Sequence, residues 1–125
     1  MENVASLSVI QEVTNLSKEG LILYSVKEAR INYINPAATE LTGLMENASQ
    51  NEIFSLLSRL DQRELEHLRA YWTEILEKST AHVQVRFPAA DDREIYLSFR
   101  GYLVADGEVM AVMVRDITEA YQHKE

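Results

Sequence analysis

The stretch VMAVMVRDI, residues 109–117, decides the fold of this chain because it is apolar at almost every position before Arg115. Successive side chains of a β-strand point to opposite faces of the sheet, so a strand that is apolar at consecutive positions needs cover on both faces. Helices from the middle of the chain can cover one face, and the first helix or a partner chain must cover the other. We therefore predict a sheet packed between two layers.

The segments before this stretch predict further strands. Residues 82–87 alternate between polar and apolar side chains, and residues 94–104 place Ile95, Leu97 and Phe99 on one side of a strand. A turn at 88–92 separates these two segments, and residues 105–108 contain the Asp-Gly pair typical of hairpins. Residues 21–26 and 31–34 are predicted to form two shorter strands joined by a polar link at 27–30.

Helical patterns account for most of the remaining chain. Residues 2–18 carry one apolar face, formed by Val9, Val13 and Leu16. Asn35 and Pro36 are suited to begin a short helix that Gly43 ends, and residues 44–60 are interpreted as short helical turns. Residues 61–78 form the clearest helix, in which Asp61 and Glu64 resemble a capping box. The apolar stripe of that helix consists of Leu65, Leu68, Trp72, Ile75 and Leu76.

Composition narrows the class of protein. The chain has 125 residues, a formal net charge of −8 and no cysteine, and this length fits one domain. The order of one helix, two strands, helices and three strands predicts the α+β class. The negative charge argues against nucleic-acid and membrane-surface binding. The sequence has neither a secretory signal pattern nor an apolar run of about 20 residues, so we expect a cytoplasmic location. The absence of cysteine excludes disulfides, thiolate metal sites and cysteine nucleophiles.

Several motifs resemble the PAS sensor superfamily over residues 16–118. Gly20-Leu21-Ile22, followed by INYINPAA (31–38) and ELTG (40–43), is similar to the first two strands and small helix of that family. EIYLSF (94–99) is similar to a strand with an aromatic or apolar run, and DGE (106–108) through VRDITE (114–119) resembles the last hairpin and the ending found before an output module. The link KEAR (27–30) replaces the usual acidic-Gly turn, and LME (44–46) lacks the common aromatic residue.

The resemblance implies a five-stranded antiparallel sheet, with helices enclosing a cavity on one face and an N-terminal helix flanking the other. Residues 1–18 would form that helix, 19–119 the sensor domain and 120–125 the start of a linker helix or tail. The implied function is a signal-sensing and dimerisation module, the input part of a bacterial signal-transduction protein such as a sensor histidine kinase. We expect the output domain to lie in the same protein or in a partner.

Three groups of residues are predicted to carry this function. A small-molecule ligand would lie in a cavity lined by Tyr33, Leu41, Phe54, Leu57, Leu68, Trp72, Phe99 and Met113. The resemblance implies that the signal leaves through Arg115, Asp116 and Thr118, where the last two anchor the exit through hydrogen bonds or an ion pair with an arginine. A homodimer would form through Val9, Val13 and Leu16 on the outer face of the sheet.

The cofactor is not identified, and the resemblance requires none. Some PAS domains hold haem iron through a histidine on their long helix, but His67 lies about 140° from the centre of the apolar stripe and is predicted to be a surface residue. A flavin bound covalently through cysteine is excluded, whereas a non-covalent flavin against Tyr33, Trp72 and Phe99 stays open. The sequence has no metal-ligand cluster, Ser-His-Asp order, glycine-rich phosphate loop or HExxH motif, so no catalytic residues are assigned.

Two other functions are consistent with the same pattern. The first is a ligand-free coupling domain with a filled core and a structural role. The second is a small α+β barrel enzyme of the isomerase type, which needs a carboxylate inside the cavity. The predicted strands place charge instead at Arg86, Arg100 and Arg115.

Overall fold

The computed structural model describes residues 18–88 and 94–122. Within these residues the strands are β1 (Gly20–Ser25), β2 (Arg30–Ile34), β3 (Thr80–Pro88), β4 (Glu94–Val104) and β5 (Val109–Asp116). The helices are α1 (Pro36–Thr42), α2 (Gln50–Leu57), α3 (Gln62–Lys78) and α4 (Thr118–Gln122), and a 3-10 turn at Ala105–Gly107 joins β4 to β5.

The strands form one antiparallel sheet in the order β2-β1-β5-β4-β3. The last strand, β5, lies at the centre, where it pairs with β1 on one side and β4 on the other. The predicted α+β class and five-stranded antiparallel sheet are therefore confirmed. The predicted helix at 2–18 falls outside the described residues except for its last position, and so do Val9, Val13 and Leu16.

Side chains of β5 alternate between two unlike faces. Met110, Val112 and Val114 are 0%, 9% and 0% exposed and point to the helices, on the side we call the inner face. On the opposite, outer face, Ala111 is half-buried and Met113 is 38% exposed. The expected helical cover of the inner face is confirmed, while these outer positions are covered only in part.

The side chain of Asn35 fastens α1 to the start of β1. Asn35 is 0% exposed, and its Oδ1 accepts hydrogen bonds from the N–H groups of Leu21 at 2.9 Å and Ala38 at 3.0 Å. Its Nδ2 donates to the carbonyl of Glu19 at 2.9 Å. The predicted helix cap is therefore confirmed, and the same side chain also binds the neighbouring strand.

Close packing at Gly20 brings α1 against the inner face. A Cβ atom at Gly20 would lie 2.9 Å from the Cβ of Ala38 and 3.1 Å from that of Val114. A side chain there would separate α1 from the sheet. At the other end of α1, Gly43 has φ 84° and donates its N–H to the carbonyl of Thr39, as expected for a C-terminal cap.

The start of α3 is joined to the edge strand β3 by carboxylates. Asp61 caps the helix by accepting the N–H of Glu64 at 2.9 Å. The Glu64 carboxylate does not return this bond, since it accepts the backbone N–H of Arg86 at 3.0 Å, so only half of the predicted capping box forms. The guanidinium of Arg86 donates to Asp61 at 2.9 Å. The N–H of Glu64 first, and then Arg86, lower the pKa of the Asp61 carboxyl.

Replacement of Asn35 by alanine is predicted to destabilise the chain by about 2–4 kcal/mol, because the buried N–H of Ala38 and the partly buried N–H of Leu21 lose their acceptor. Urea denaturation monitored by circular dichroism measures the change. Asn51→Ala, at an exposed position of α2, is the matched control and should leave the free energy of unfolding almost unchanged. Equal stabilities of Asn35→Ala and the wild type would contradict the assigned role of Asn35.

Candidate functional site

The end of β5 is tied to β4 by a small hydrogen-bond network. Asp116 Oδ1 accepts bonds from the N–H of Thr118 at 2.9 Å and from its Oγ1 at 2.6 Å. Thr118 Oγ1 in turn accepts the backbone N–H of Tyr96 at 3.0 Å. The carbonyl of Tyr96 accepts the N–H of Ile117 at 2.9 Å. Residues just beyond β5 therefore remain bonded to the main chain of β4.

Aromatic and ionic contacts fix the same region from two further sides. The rings of Tyr96 in β4 and Tyr121 in α4 stack with centroids 4.0 Å apart and planes inclined by 11°. Arg115 contacts the carboxylate of Glu19 at 3.4 Å, so its ion pair goes to the residue preceding β1 and not to Asp116. The entry and exit of the sheet thus lie side by side.

The inner core is closed by α3 lying over β3 and β4. Tyr71 and Ile75 are the buried residues of this helix. A Cβ atom at Gly101 of β4 would lie 2.3 Å from Ile75 Cδ1 and 2.5 Å from the Tyr71 hydroxyl oxygen, so glycine allows this close approach. The next residue after Tyr71, Trp72, makes an edge-to-face contact with Tyr24 of β1, with ring centroids 5.1 Å apart.

Five of the eight residues predicted to line a cavity lie in or against this core. Phe99 is 7% exposed and its ring lies 6.4 Å from that of Tyr71. The other four are partly buried and packed against the core: Leu41, Leu57, Leu68 and Trp72. The structure thus brings these side chains to the helix-covered side of the sheet, and their role in ligand binding stays a prediction.

Three of the predicted lining residues lie elsewhere. Met113 is on the outer face, because β5 alternates and its neighbours Val112 and Val114 take the inner positions. Phe54 is 51% exposed and belongs to α2, a helix with no fully buried residue. Tyr33 pairs with Leu23 across β1 and β2, which places its side chain on the outer face. Met113 and Phe54 therefore lie outside the predicted cavity, while Tyr33 lines a separate groove with Pro36, Thr39 and Glu40.

Tyr71 was missed by the sequence analysis, although it lies four residues before Ile75 and three after Leu68. The predicted stripe included Leu76, which is 47% exposed, in place of Tyr71, which is 7% exposed. Among the described residues, the Tyr71 hydroxyl is a buried side-chain oxygen without a hydrogen-bond partner. Burial raises the pKa of this hydroxyl, with a smaller contribution from Tyr102.

Other predicted features concern the surface. His67 is exposed on α3, as the helical geometry predicts. Within residues 18–88 and 94–122, no group of three or more His, Cys, Asp or Glu side chains is arranged to hold a metal ion. The helices described in these ranges are too short or too polar to cross a membrane.

Comparison with solved structures identifies the fold. A PAS domain from a two-component sensor histidine kinase superposes with a TM-score of 0.62 at 16% identity, covering 91% of this chain and 98% of that one. A sensory box histidine kinase/response regulator from Burkholderia thailandensis gives a TM-score of 0.67 at 16% identity, with 92% and 88% coverage. The chain has the PAS fold. No known family model and no curated protein matches the sequence.

A third structure with the PAS fold contains a ligand. The PAS domain of the quorum-sensing receptor RpfR from Cronobacter turicensis, in complex with C12:0, gives a TM-score of 0.61 at 19% identity and covers 82% of this chain and 96% of that one. At these low identities the likeness concerns the fold, so the functional residues must be argued from the present chain alone.

Replacement of Tyr71 by phenylalanine is predicted to raise the free energy of unfolding by roughly 1 kcal/mol, because it removes a buried hydroxyl that has no partner. Thermal and urea unfolding of the purified chain measure this change. Tyr102→Phe is the control, since Tyr102 is 41% exposed and its hydroxyl can reach water. A loss of stability in Tyr71→Phe would contradict the prediction and indicate that the hydroxyl has a hydrogen-bond partner.

Proposed function

We propose that this chain is a signal-input and dimerisation module of a bacterial signal-transduction protein, such as a sensor histidine kinase. The observation that carries the proposal is the bond from the backbone N–H of Tyr96 to Thr118 Oγ1, at 3.0 Å, just beyond the end of β5. Because a strand and the departing chain share this bond, a shift of β4 displaces the residues that leave the sheet. PAS domains of sensor kinases are among the structures that this fold resembles.

The proposed signal route begins in the core and ends at α4. Phe99 and Leu97 of β4 pack on the inner face, and Tyr96 of the same strand bonds Thr118 and stacks on Tyr121. A change in the core moves β4, and the two contacts of Tyr96 pass the movement to the first turn of α4. Arg115, through Glu19, couples the chain that enters the sheet to the same movement.

The proposed signal is a small apolar molecule bound between α3 and the inner face. Leu41, Leu57, Leu68, Trp72 and Phe99 supply apolar surface there. Tyr71 supplies a hydroxyl that a polar end of the ligand could bond. C12:0, the ligand named in the RpfR complex, serves as a first probe.

A ligand-free coupling domain is the second candidate, and the packing at Gly101 favours it. Ile75 and Leu97 are both 0% exposed, and no Cβ atom fits between Gly101 and the side chains of Tyr71 and Ile75. In this form the core is already filled, and the input reaches β4 from a partner that contacts the sheet. The exit network would act in the same way.

Native mass spectrometry and visible absorbance of the full chain separate these two candidates. A molecule that is retained through purification and released on denaturation supports the ligand-binding form. Its visible absorbance spectrum shows whether it is haem or a non-covalent flavin. Titration with C12:0 then tests whether the exchange rates of the Tyr96 and Thr118 amides change with occupancy. Binding without any response at these amides would overturn the proposed route, whereas an empty, unresponsive core favours the coupling domain.

A binding module is preferred to an enzyme. Among the described residues, the buried polar side chains are those of Ser25, Asn35, Thr42 and Ser98, which include no carboxylate for an isomerase-type reaction. We further propose that the module acts in the cytoplasm, with an output domain in the same protein or a partner. The net charge of −8 supports contacts other than nucleic acid or anionic membranes.

Thr118→Val is predicted to increase hydrogen exchange of the Tyr96 amide about tenfold, because the valine side chain cannot accept its hydrogen bond. Exchange of the α4 amides should rise as well, since Asp116 loses the donor hydroxyl. Nuclear magnetic resonance of the 15N-labelled chain measures both. Thr73→Val, at an exposed position of α3, should change neither, and an unchanged Tyr96 amide in Thr118→Val would show that the exit is held by other contacts.

Dimerisation through Val9, Val13 and Leu16 is proposed on the β1 side of the outer face, where Leu21, Leu23 and Ala111 are incompletely covered. Val9→Glu/Val13→Glu should weaken self-association, because two charges would enter an apolar contact. Light scattering across a concentration series measures the effect. Met45→Glu is the control, since Met45 is 63% exposed beside α1. A dimer that persists in the double variant would end this proposal.

A further inference from the structure

A groove of about 490 Å³ crosses the outer face over β3, β4 and β5. We call it the outer groove. It lies on the side of the sheet opposite to the proposed ligand space under α3. Its polar side chains are those of Glu19, His82, Gln84, Ser98, Arg100, Tyr102 and Arg115.

Strand register brings the basic side chains of the outer groove together. His82 of β3 pairs with Arg100 of β4, and Arg115 of β5 pairs with Ser98. Arg100 and Arg115 are therefore diagonal neighbours on one face, with Cβ atoms about 7–8 Å apart in such a pair. Ser98 forms the floor between them at 8% exposed, held by a 2.8 Å hydrogen bond to His82 Nε2.

The charges of the outer groove are not balanced by its own residues. Glu19 is the one acidic residue among the described residues that line it, and Glu19 contacts Arg115 at 3.4 Å. Within the described part of the chain, the guanidinium of Arg100 has neither an ion pair nor a hydrogen bond. Two arginines thus lie close together on a chain whose net charge is −8. Neighbouring like charges are unfavourable unless an anion joins them.

We propose that the outer groove binds a small carboxylate with a short apolar body. A guanidinium matches a carboxylate through two parallel N–H···O bonds, which Arg100 is free to make. Gln84 and Tyr102 lie beside it as further hydrogen-bonding groups. Met113 and Ile117 provide the apolar wall for the rest of the molecule. Because Ile117 also bonds Tyr96, an occupied groove borders directly on the exit network.

The test is a titration of the 15N-labelled full chain with sodium benzoate at constant ionic strength, followed by nuclear magnetic resonance. Benzoate joins a carboxylate to a flat apolar ring. We expect saturable shifts at amides of residues 82–84, 98–102 and 113–117. Arg100→Gln should weaken binding about tenfold or more, since it removes a charged hydrogen-bond donor. Arg100→Lys keeps the charge but cannot form two parallel hydrogen bonds to a carboxylate. Its affinity for benzoate should therefore fall between those of Arg100→Gln and the wild type.

Two controls separate a built site from general attraction. Arg69→Gln removes the same charge at an exposed position of α3 and should leave the affinity unchanged. Inorganic phosphate, which lacks an apolar body, should bind more weakly than benzoate, and Met113→Ala should reduce that difference. Non-saturating shifts in the wild type, or equal losses in Arg69→Gln and Arg100→Gln, would overturn the proposal. Shifts confined to the amides of Leu68, Tyr71 and Trp72 in α3 would overturn it too, while supporting a ligand in the inner core.

Discussion

The side chain of Asn35 holds together parts of the chain that strand pairing alone leaves apart. It bonds the N–H of Leu21 in β1, the N–H of Ala38 in α1 and the carbonyl of Glu19. The bond to Ala38 is buried and the other two are partly buried, so loss of the Asn35 amide would leave groups with reduced access to water unpaired. Because β1 pairs with β5 at the centre of the sheet, the position of α1 on β1 also sets how the core closes. The amide of one residue thereby orients α1 on the sheet.

The central strand β5 has the hydrophobic core on one face and the outer groove on the other. Its residues Met110, Val112 and Val114 complete the core, while Met113 and Arg115 belong to the outer groove. A ligand in either place contacts β4 or β5 and hence the network of Asp116 and Thr118. The two proposed sites therefore differ in chemistry, one apolar and one cationic, but share the same exit. This arrangement suits a module that combines two inputs.

Local chemistry in the sequence predicted the fold well. Asn35-Pro36 and Gly43 mark the ends of α1, and the alternation in β3 and β4 determines which side chains are buried, because these signals act within a few residues. The pattern of β5 could not distinguish its faces, since apolar residues occupy both. Met113 was misplaced for that reason.

Other errors arose where distant contacts outweigh local rules. The Glu64 carboxylate does not bond the N–H of Asp61, as a capping box requires. It accepts the N–H of Arg86 instead, 22 residues away in the sequence. Tyr71 displaced Leu76 from the buried side of α3 because Gly101 offers room for a ring beside the sheet. Neither partner is visible in the neighbouring sequence. The exit residues Asp116 and Thr118 were indicated by the resemblance of VRDITE (114–119) to the PAS superfamily, and in the structure they bond each other within three positions.

The contact between Glu64 and Arg86 also bears on solubility. A border strand such as β3 offers free N–H groups to which another polypeptide can add, the first step of many aggregation processes. Here a carboxylate occupies one of these groups, and Pro88 has no N–H to offer at the end of the strand. At the opposite border, the N–H of Ile31 in β2 donates to Ala48 and its carbonyl accepts from Asn47. Both margins of the sheet are thus blocked by the chain's own groups at these positions, which discourages uncontrolled strand addition while leaving the broad faces open to specific partners.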